Sequence, residues 1–262
     1  MEELILPSYY KGQIFTECEL IKPKGGVLAD AEKATNDMIG IVKLVSGCIA
    51  SVVDFNGEII SKKDEIEGIV RHMPFQTAEY LAMKIFANKT DGAIEQIVHC
   101  PRCKERYIYE YIDEDMDERI KFDDLEIMIY EGTEEPIILV TLNEPIEIKS
   151  KDKTILHSIE NMQFRFPNMN DGISASMKFP NDSIRRQYQM YISAMTHMNG
   201  EEIDNKFKNM WGMFIFDRMD TDDIKQIADE LQKYGMNKKL KHTCSECEKE
   251  FSFVVDTSNF FE

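Results

Sequence analysis

The chain has 262 residues, 43% of them hydrophobic and 10% aromatic, enough apolar material for one large or two modest cored domains. Lys and Arg number 31 against 48 Asp and Glu, and a formal net charge of −17 opposes direct binding to the phosphate backbone of a nucleic acid. No apolar run approaches the roughly 18 residues of a membrane span, and the acidic start Met1-Glu2-Glu3 lacks the basic region that opens a signal peptide.

In chain order, residues 5–29 carry Pro7, Gly12, Pro23, Gly25 and Gly26 and read as loop, with one short strand at 18–21. Met38, Ile41, Val42, Val45, Ile49 and Val52 then form a helical stripe over 31–54, stopped by the turn Asn56-Gly57. Ser61 starts a second helix with Ile66, Ile69 and Val70 on one side, and Thr77 is placed to N-cap a third. Residues 94–99 and 106–112 read as the arms of a hairpin around Cys100-Pro101-Arg102-Cys103. The charge run Asp113–Glu118 lacks the glycine and spacing of a calcium loop and reads as a solvated face. Three strands are expected next, at 125–131, 136–142 and 146–149, with Glu144-Pro145 separating the last two. A strand at 162–167 leads to a helix capped by Asp182 and running through His197. Asn199-Gly200 turns the chain into a helix over 201–218, and Thr221 N-caps the last helix, which Gly235 ends. A second hairpin surrounds Cys244-Ser245-Glu246-Cys247.

The two Cys-x-x-Cys knuckles carry the chemistry. Two thiolates on a tight turn can face one cation, and two such turns supply the four sulfurs of a tetrahedral, structural Zn²⁺. Both are flanked by β-prone runs rather than by the helix N-terminus that a redox dithiol uses. The 140 residues between Cys103 and Cys244 far exceed the spacing of an ordinary zinc ribbon, about 15–20 residues. An internal repeat accounts for this: sliding the chain by the knuckle spacing brings Pro23 onto Pro167, Ala31 onto Ala175, Gly68 onto Gly212 and Thr77 onto Thr221. Repeats of about 12–113 and 156–257 would bring Cys100, Cys103, Cys244 and Cys247 to one ion. The alternatives are two incomplete sites, completed by His99, His242 or a partner chain. Cys18 and Cys48 read as small buried hydrophobes. No nucleophile elbow, phosphate-binding loop or dinucleotide fingerprint is present, which argues against an enzyme. The aromatic end Phe260-Phe261 is a candidate partner-binding element.

The segment Gln232-Lys233-Tyr234-Gly235, a basic strand, Cys244-Ser245-Glu246-Cys247 and an aromatic strand together resemble the T4-type baseplate and baseplate-hub assembly proteins of tailed phages. His99-Cys100-Pro101-Arg102-Cys103 has the same look. The resemblance covers the last 40 residues best. It implies a non-enzymatic structural or assembly protein whose partners are other tail or baseplate proteins, in the virion or in the cytoplasm of the infected host. The rival reading is a zinc-ribbon adaptor in transcription or nucleic-acid handling. The expected architecture is α+β: two related helical halves, 1–113 and 156–262, each with a knuckle hairpin, joined by a β segment at 114–155.

Overall fold

The structure is a computed structural model that describes residues 1–87, 96–109, 125–132 and 134–254. The chain opens with strands β1 (Glu2–Tyr10) and β2 (Gln13–Leu20), helices α1 (Gly25–Glu32) and α2 (Asp37–Gly47), and strands β3 (Ile49–Asp54) and β4 (Ile59–Ile60). Helices α3 (Lys63–Arg71) and α4 (Phe75–Ala87) follow, then the hairpin of β5 (Gln96–His99) and β6 (Arg106–Tyr109). After a short β7 (Glu126–Met128), the succession returns. It comprises β8 (Ile137–Lys149), β9 (Ile155–Arg165), α5 (Met169–Lys178), α6 (Ser183–Ala194), β10 (Met195–Met198), β11 (Glu201–Glu202), α7 (Asn205–Phe216) and α8 (Thr221–Leu231). A short β12 (Gly235–Asn237) precedes the second hairpin, β13 (Lys239–Thr243) and β14 (Glu250–Val254).

The fold is α+β. Each half has its own four-stranded antiparallel sheet, ordered β1-β2-β3-β4 and β8-β9-β10-β11. The leading hairpins share a register: Ser8↔Phe15, Tyr9↔Ile14 and Tyr10↔Gln13 correspond to Ile146↔Ile159, Glu147↔Ser158 and Ile148↔His157. Both first strands break register at a corresponding place, between Glu3 and Ser8 in β1 and between Thr141 and Ile146 in β8, and β8 shifts once more between Ile148 and Lys149. Pro7 and Pro145 sit in these irregular stretches, where a residue without an N–H is tolerated. A side chain from the last helix of each half closes the gap. Thr77 Oγ1 accepts from Leu6 N–H and donates to Leu6 C=O, both at 2.9 Å. In the other half Asp223 accepts from Asn143 N–H at 3.1 Å.

Several expectations are corrected by this sheet pattern. Residues 5–29 are not mainly loop, because β1 and β2 are long paired strands and α1 follows. Leu4, Ile5 and Leu6 are all buried, so the irregular stretch hides the alternation that marks a strand. The stripe over 31–54 divides into α1, α2 and β3, since Ile49, Val52 and Val53 join a sheet rather than a helix face. Asn199-Gly200, with φ of 48° and 81°, is a hairpin turn between β10 and β11, and helix α7 begins only after Asp204 caps it. Thr77 does not cap α4 but serves β1, and Asp220 rather than Thr221 caps α8. Gly235 starts β12 rather than ending a helix. Finally, β8 is one strand paired along β9, so a boundary at 155 cuts a hairpin. Among the described residues of the 114–155 segment, β7 stands apart, paired with β12.

The halves meet at an uneven seam. The corner between α3 and α4 meets the corner between β9 and α5: Phe75 N–H donates to Pro167 C=O at 3.3 Å and Met169 N–H to Met73 C=O at 3.1 Å. Gly172 of α5 lies under the Phe75 ring, and a Cβ there would stand 2.2 Å from it. Arg165 grips Asp171 through two bonds of 2.6 and 2.9 Å, and Asp171 also takes part in the capping box with Asn168. Gln76 donates to Leu231 C=O at 2.9 Å, tying α4 to the end of α8.

Candidate metal centre

Each knuckle grows from a two-stranded hairpin closed by a pair at its tip, His99↔Arg106 and Thr243↔Glu250. The turns repeat one another bond for bond. Cys100 N–H donates to Glu105 C=O at 2.9 Å and Lys104 N–H to Cys100 C=O at 3.0 Å. Correspondingly, Cys244 N–H donates to Lys249 C=O at 3.1 Å and Glu248 N–H to Cys244 C=O at 2.8 Å. Lys104 and Glu248, the residues after each knuckle, both occupy the left-handed region, with φ of 66° and 56°. That conformation turns the backbone back toward its cysteines and is strained for a residue with a Cβ.

The turns bring Cys100, Cys103, Cys244 and Cys247 together, with all four sulfurs within 4.8 Å of one another. The contacts between knuckles are Cys100 Sγ to Cys247 Sγ at 3.7 Å and Cys103 Sγ to Cys244 Sγ at 3.5 Å. Exchanging the halves maps one pair onto the other, so the site has local twofold character. A disulfide needs about 2.05 Å. Four thiolates at about 2.3 Å from a tetrahedral ion stand about 3.8 Å apart. The observed spacing therefore fits a shared metal ion and not a crosslink. The first cysteine of each knuckle is buried, while Cys103 is exposed and Cys247 half-buried.

The clustered thiols do not titrate alike: backbone N–H groups of Glu105 and Lys249 pull Cys103 and Cys247 down, but burial and neighbouring thiols outweigh them, pushing Cys103 up to about 12 and Cys247 upward. Burial pushes the Cys100 thiol up, but N–H groups of Cys103 and Arg102, with the thiols of Cys103 and Cys247, outweigh it and hold the group below its ordinary value. Cys18 and Cys48, away from the cluster, are pushed up to about 12 and about 11 by burial, as suits inert core residues. His99 and His242 are not among the clustered ligands; His242 is buried, its ring 5.4 Å from that of Phe251. The two-site alternative gives way because both cysteine pairs converge on one point. Phe260, Phe261 and the acidic run at 113–118 lie outside the described residues.

One polar cleft was not anticipated, on the seam between the halves and lined by Tyr9, His72, Glu135 and Arg165 among others. These residues are dispersed along the chain with no shared spacing, so no local pattern announces them. No described helix is long and apolar enough to cross a membrane. Compared with protein-family models, with curated proteins and with solved structures, the chain matches none.

Proposed function

We propose that this chain is a non-enzymatic structural or assembly protein of a bacteriophage tail baseplate, stapled by one structural Zn²⁺ and acting through protein–protein contacts. The observation that carries the structural part is the convergence of Cys100, Cys103, Cys244 and Cys247. Thiolates alone suit Zn²⁺, and a four-sulfur set leaves no open position for a substrate, which favours a structural ion. When bound, the ion would link the N-terminal and C-terminal hairpins and fix the two halves as one rigid unit for partners to dock on. The phage part is supported by the resemblance of the Tyr234-Gly235 segment and its following knuckle to the baseplate assembly proteins.

The test is a tagged full-length chain expressed during infection by its phage. Association with tail or baseplate components, read by affinity purification and electron microscopy, is the expected result. Absence of every tail component, together with salt-sensitive retention on DNA, would transfer the assignment to the zinc-ribbon adaptor. Metal content of the purified chain tests the site separately, with one Zn²⁺ per chain expected.

A further inference from the structure

Strand β8 ends its sheet: β9 pairs with one side of it, and no strand pairs with the other among the described residues. Every second residue of an antiparallel edge strand turns both its N–H and its C=O away from its neighbour. Among the described residues, the one hydrogen bond that reaches 137–143 from outside the sheet is that of Asn143 N–H with Asp223, at the irregular stretch. Before it, residues 137–142 read Ile-Ile-Leu-Val-Thr-Leu, with no charge and no proline. Ile138, Val140 and Leu142 are buried in the core, while Ile137 and Leu139 are 49% and 64% exposed on the other face. An edge of this kind is a template for a further strand, and proteins blunt such edges with charge, proline or a cover.

The first half carries those guards. By the shared register, Glu2 and Glu3 hold the places of Val140 and Thr141, and Lys84 pairs with Glu2. The next stretch of β1 is closed by its own chain. Thr77 engages both backbone groups of Leu6, and Tyr130 N–H donates to Ile5 C=O at 2.8 Å. One edge is therefore charged and covered, and its counterpart over 137–142 is neither.

Charge selects the occupant. Glu134 and Glu144 flank the segment, exposed and without an ion pair among the described residues. The nearby Arg165 is matched by Asp171. A second copy pairing antiparallel about the middle of the segment would set these acids against the copy's own acids, on chains of net charge −17 each. A strand with cations at its ends meets them favourably.

We propose that the outer edge of β8, residues 137–142, pairs with an extended segment of a partner protein whose centre is uncharged and whose two ends carry Lys or Arg. The main chain of that segment supplies the pairing, and its outward side chains pack on Ile137 and Leu139. The proposal gives the protein–protein role a surface but rests on this edge alone, so loss of the phage assignment or of the metal would leave it standing.

The metal-loaded full-length chain is titrated, by NMR or calorimetry, with blocked peptides of alternating threonine and valine. One has two lysines at each end, a second has two glutamates at each end, and a third is lysine-ended with two adjacent central residues replaced by proline, which removes a donor from each edge. The first should saturate, with the other two at least about tenfold weaker, and amide protons within 137–142 should gain protection from exchange. Leu139→Lys adds the missing guard at an exposed position and should weaken binding about tenfold. The pair Glu134→Lys and Glu144→Lys should reverse the preference toward the glutamate-ended peptide, and it serves as the test if Leu139→Lys misfolds. Failure of the lysine-ended peptide to saturate, indifference to the prolines, or protection gained elsewhere would overturn the proposal. So would self-association of the chain that Leu139→Lys abolishes, since the occupant would then be a second copy.

Discussion

Helices α1 and α5 hold the same place in the two halves, directly after the second strand, yet they are built differently. α1 has no buried residue and no side-chain cap, and its packing is against α2. α5 has a full capping box, the Arg165 brace and six buried residues, among them Asp171 and Gly172. The reason is position. α5 is pressed into the seam against Phe75 and the α3–α4 corner, whereas α1 packs mainly on α2 of its own half. The helical bodies therefore associate unevenly, one surface meeting a different surface. The knuckles, by contrast, associate with twofold character. A repeated topology fixes what each half can form, and the seam decides which copy of a helix must be reinforced.

This contrast can be broken at several points. The largest effect is expected at the metal. Cys100→Ser and Cys244→Ser occupy equivalent positions, so each should release the ion and cost at least about 3 kcal/mol in denaturant unfolding of the metal-loaded chain. A large loss for one and none for the other would end the shared-site reading, as would metal content unchanged in both.

At the seam, Gly172→Ala should destabilise by about 1–3 kcal/mol, because its methyl group enters the space of the Phe75 ring. Combining it with Phe75→Leu should recover part of that loss, and strictly additive effects would show that the two residues do not share the space.

The strand clamps give a smaller, graded comparison. Thr77→Val strands both the N–H and the C=O of Leu6 and should cost about 1–3 kcal/mol. Asp223→Ala strands one N–H, that of Asn143, and should cost less, about 1 kcal/mol. Reversal of this order in thermal unfolding would mean that the two halves do not use these side chains in the same way.

The smallest effect concerns the left-handed residues after each knuckle. Glycine there relieves about 1–2 kcal/mol of strain but loses about 0.5–1 kcal/mol to the freer unfolded chain. Lys104→Gly and Glu248→Gly should each stabilise by about 0.5 kcal/mol, a difference resolvable by denaturant midpoint, and destabilisation by either would show that its side chain contributes more than its backbone loses.

The sequence was most readable where chemistry is written in short covalent spacing. Each Cys-x-x-Cys fixes two sulfurs on one turn, and the recurrence of the knuckle at a distance of 144 residues indicated that the halves correspond. The ungapped slide was only partly right. Pro23 and Pro167 do hold equivalent places before α1 and α5, but Thr77 corresponds in role to Asp223, not Thr221, because helix starts shift between the halves. Helix α6 was legible from its apolar face and its cap, Asp182 accepting from Arg185 N–H, and α3 from its apolar face and the acidic residues of its first turn. The strands β1, β3 and β10 were not, since each is short, interrupted or wholly buried and shows no alternation.

By itself, then, the amino-acid order specified an acidic chain, an α+β composition and four cysteines suited to one ion. Those properties follow from side-chain chemistry and from spacings of a few residues. The tertiary structure alone decided that 49–54 and 195–198 are strands, that β8 belongs to the second half, and that α5 lies in the seam while α1 does not. It also assembled the cleft around Glu135 and Tyr9. Such outcomes depend on backbone pairing and burial between residues far apart in the chain, and no local pattern encodes which partner a strand or a helix face will find.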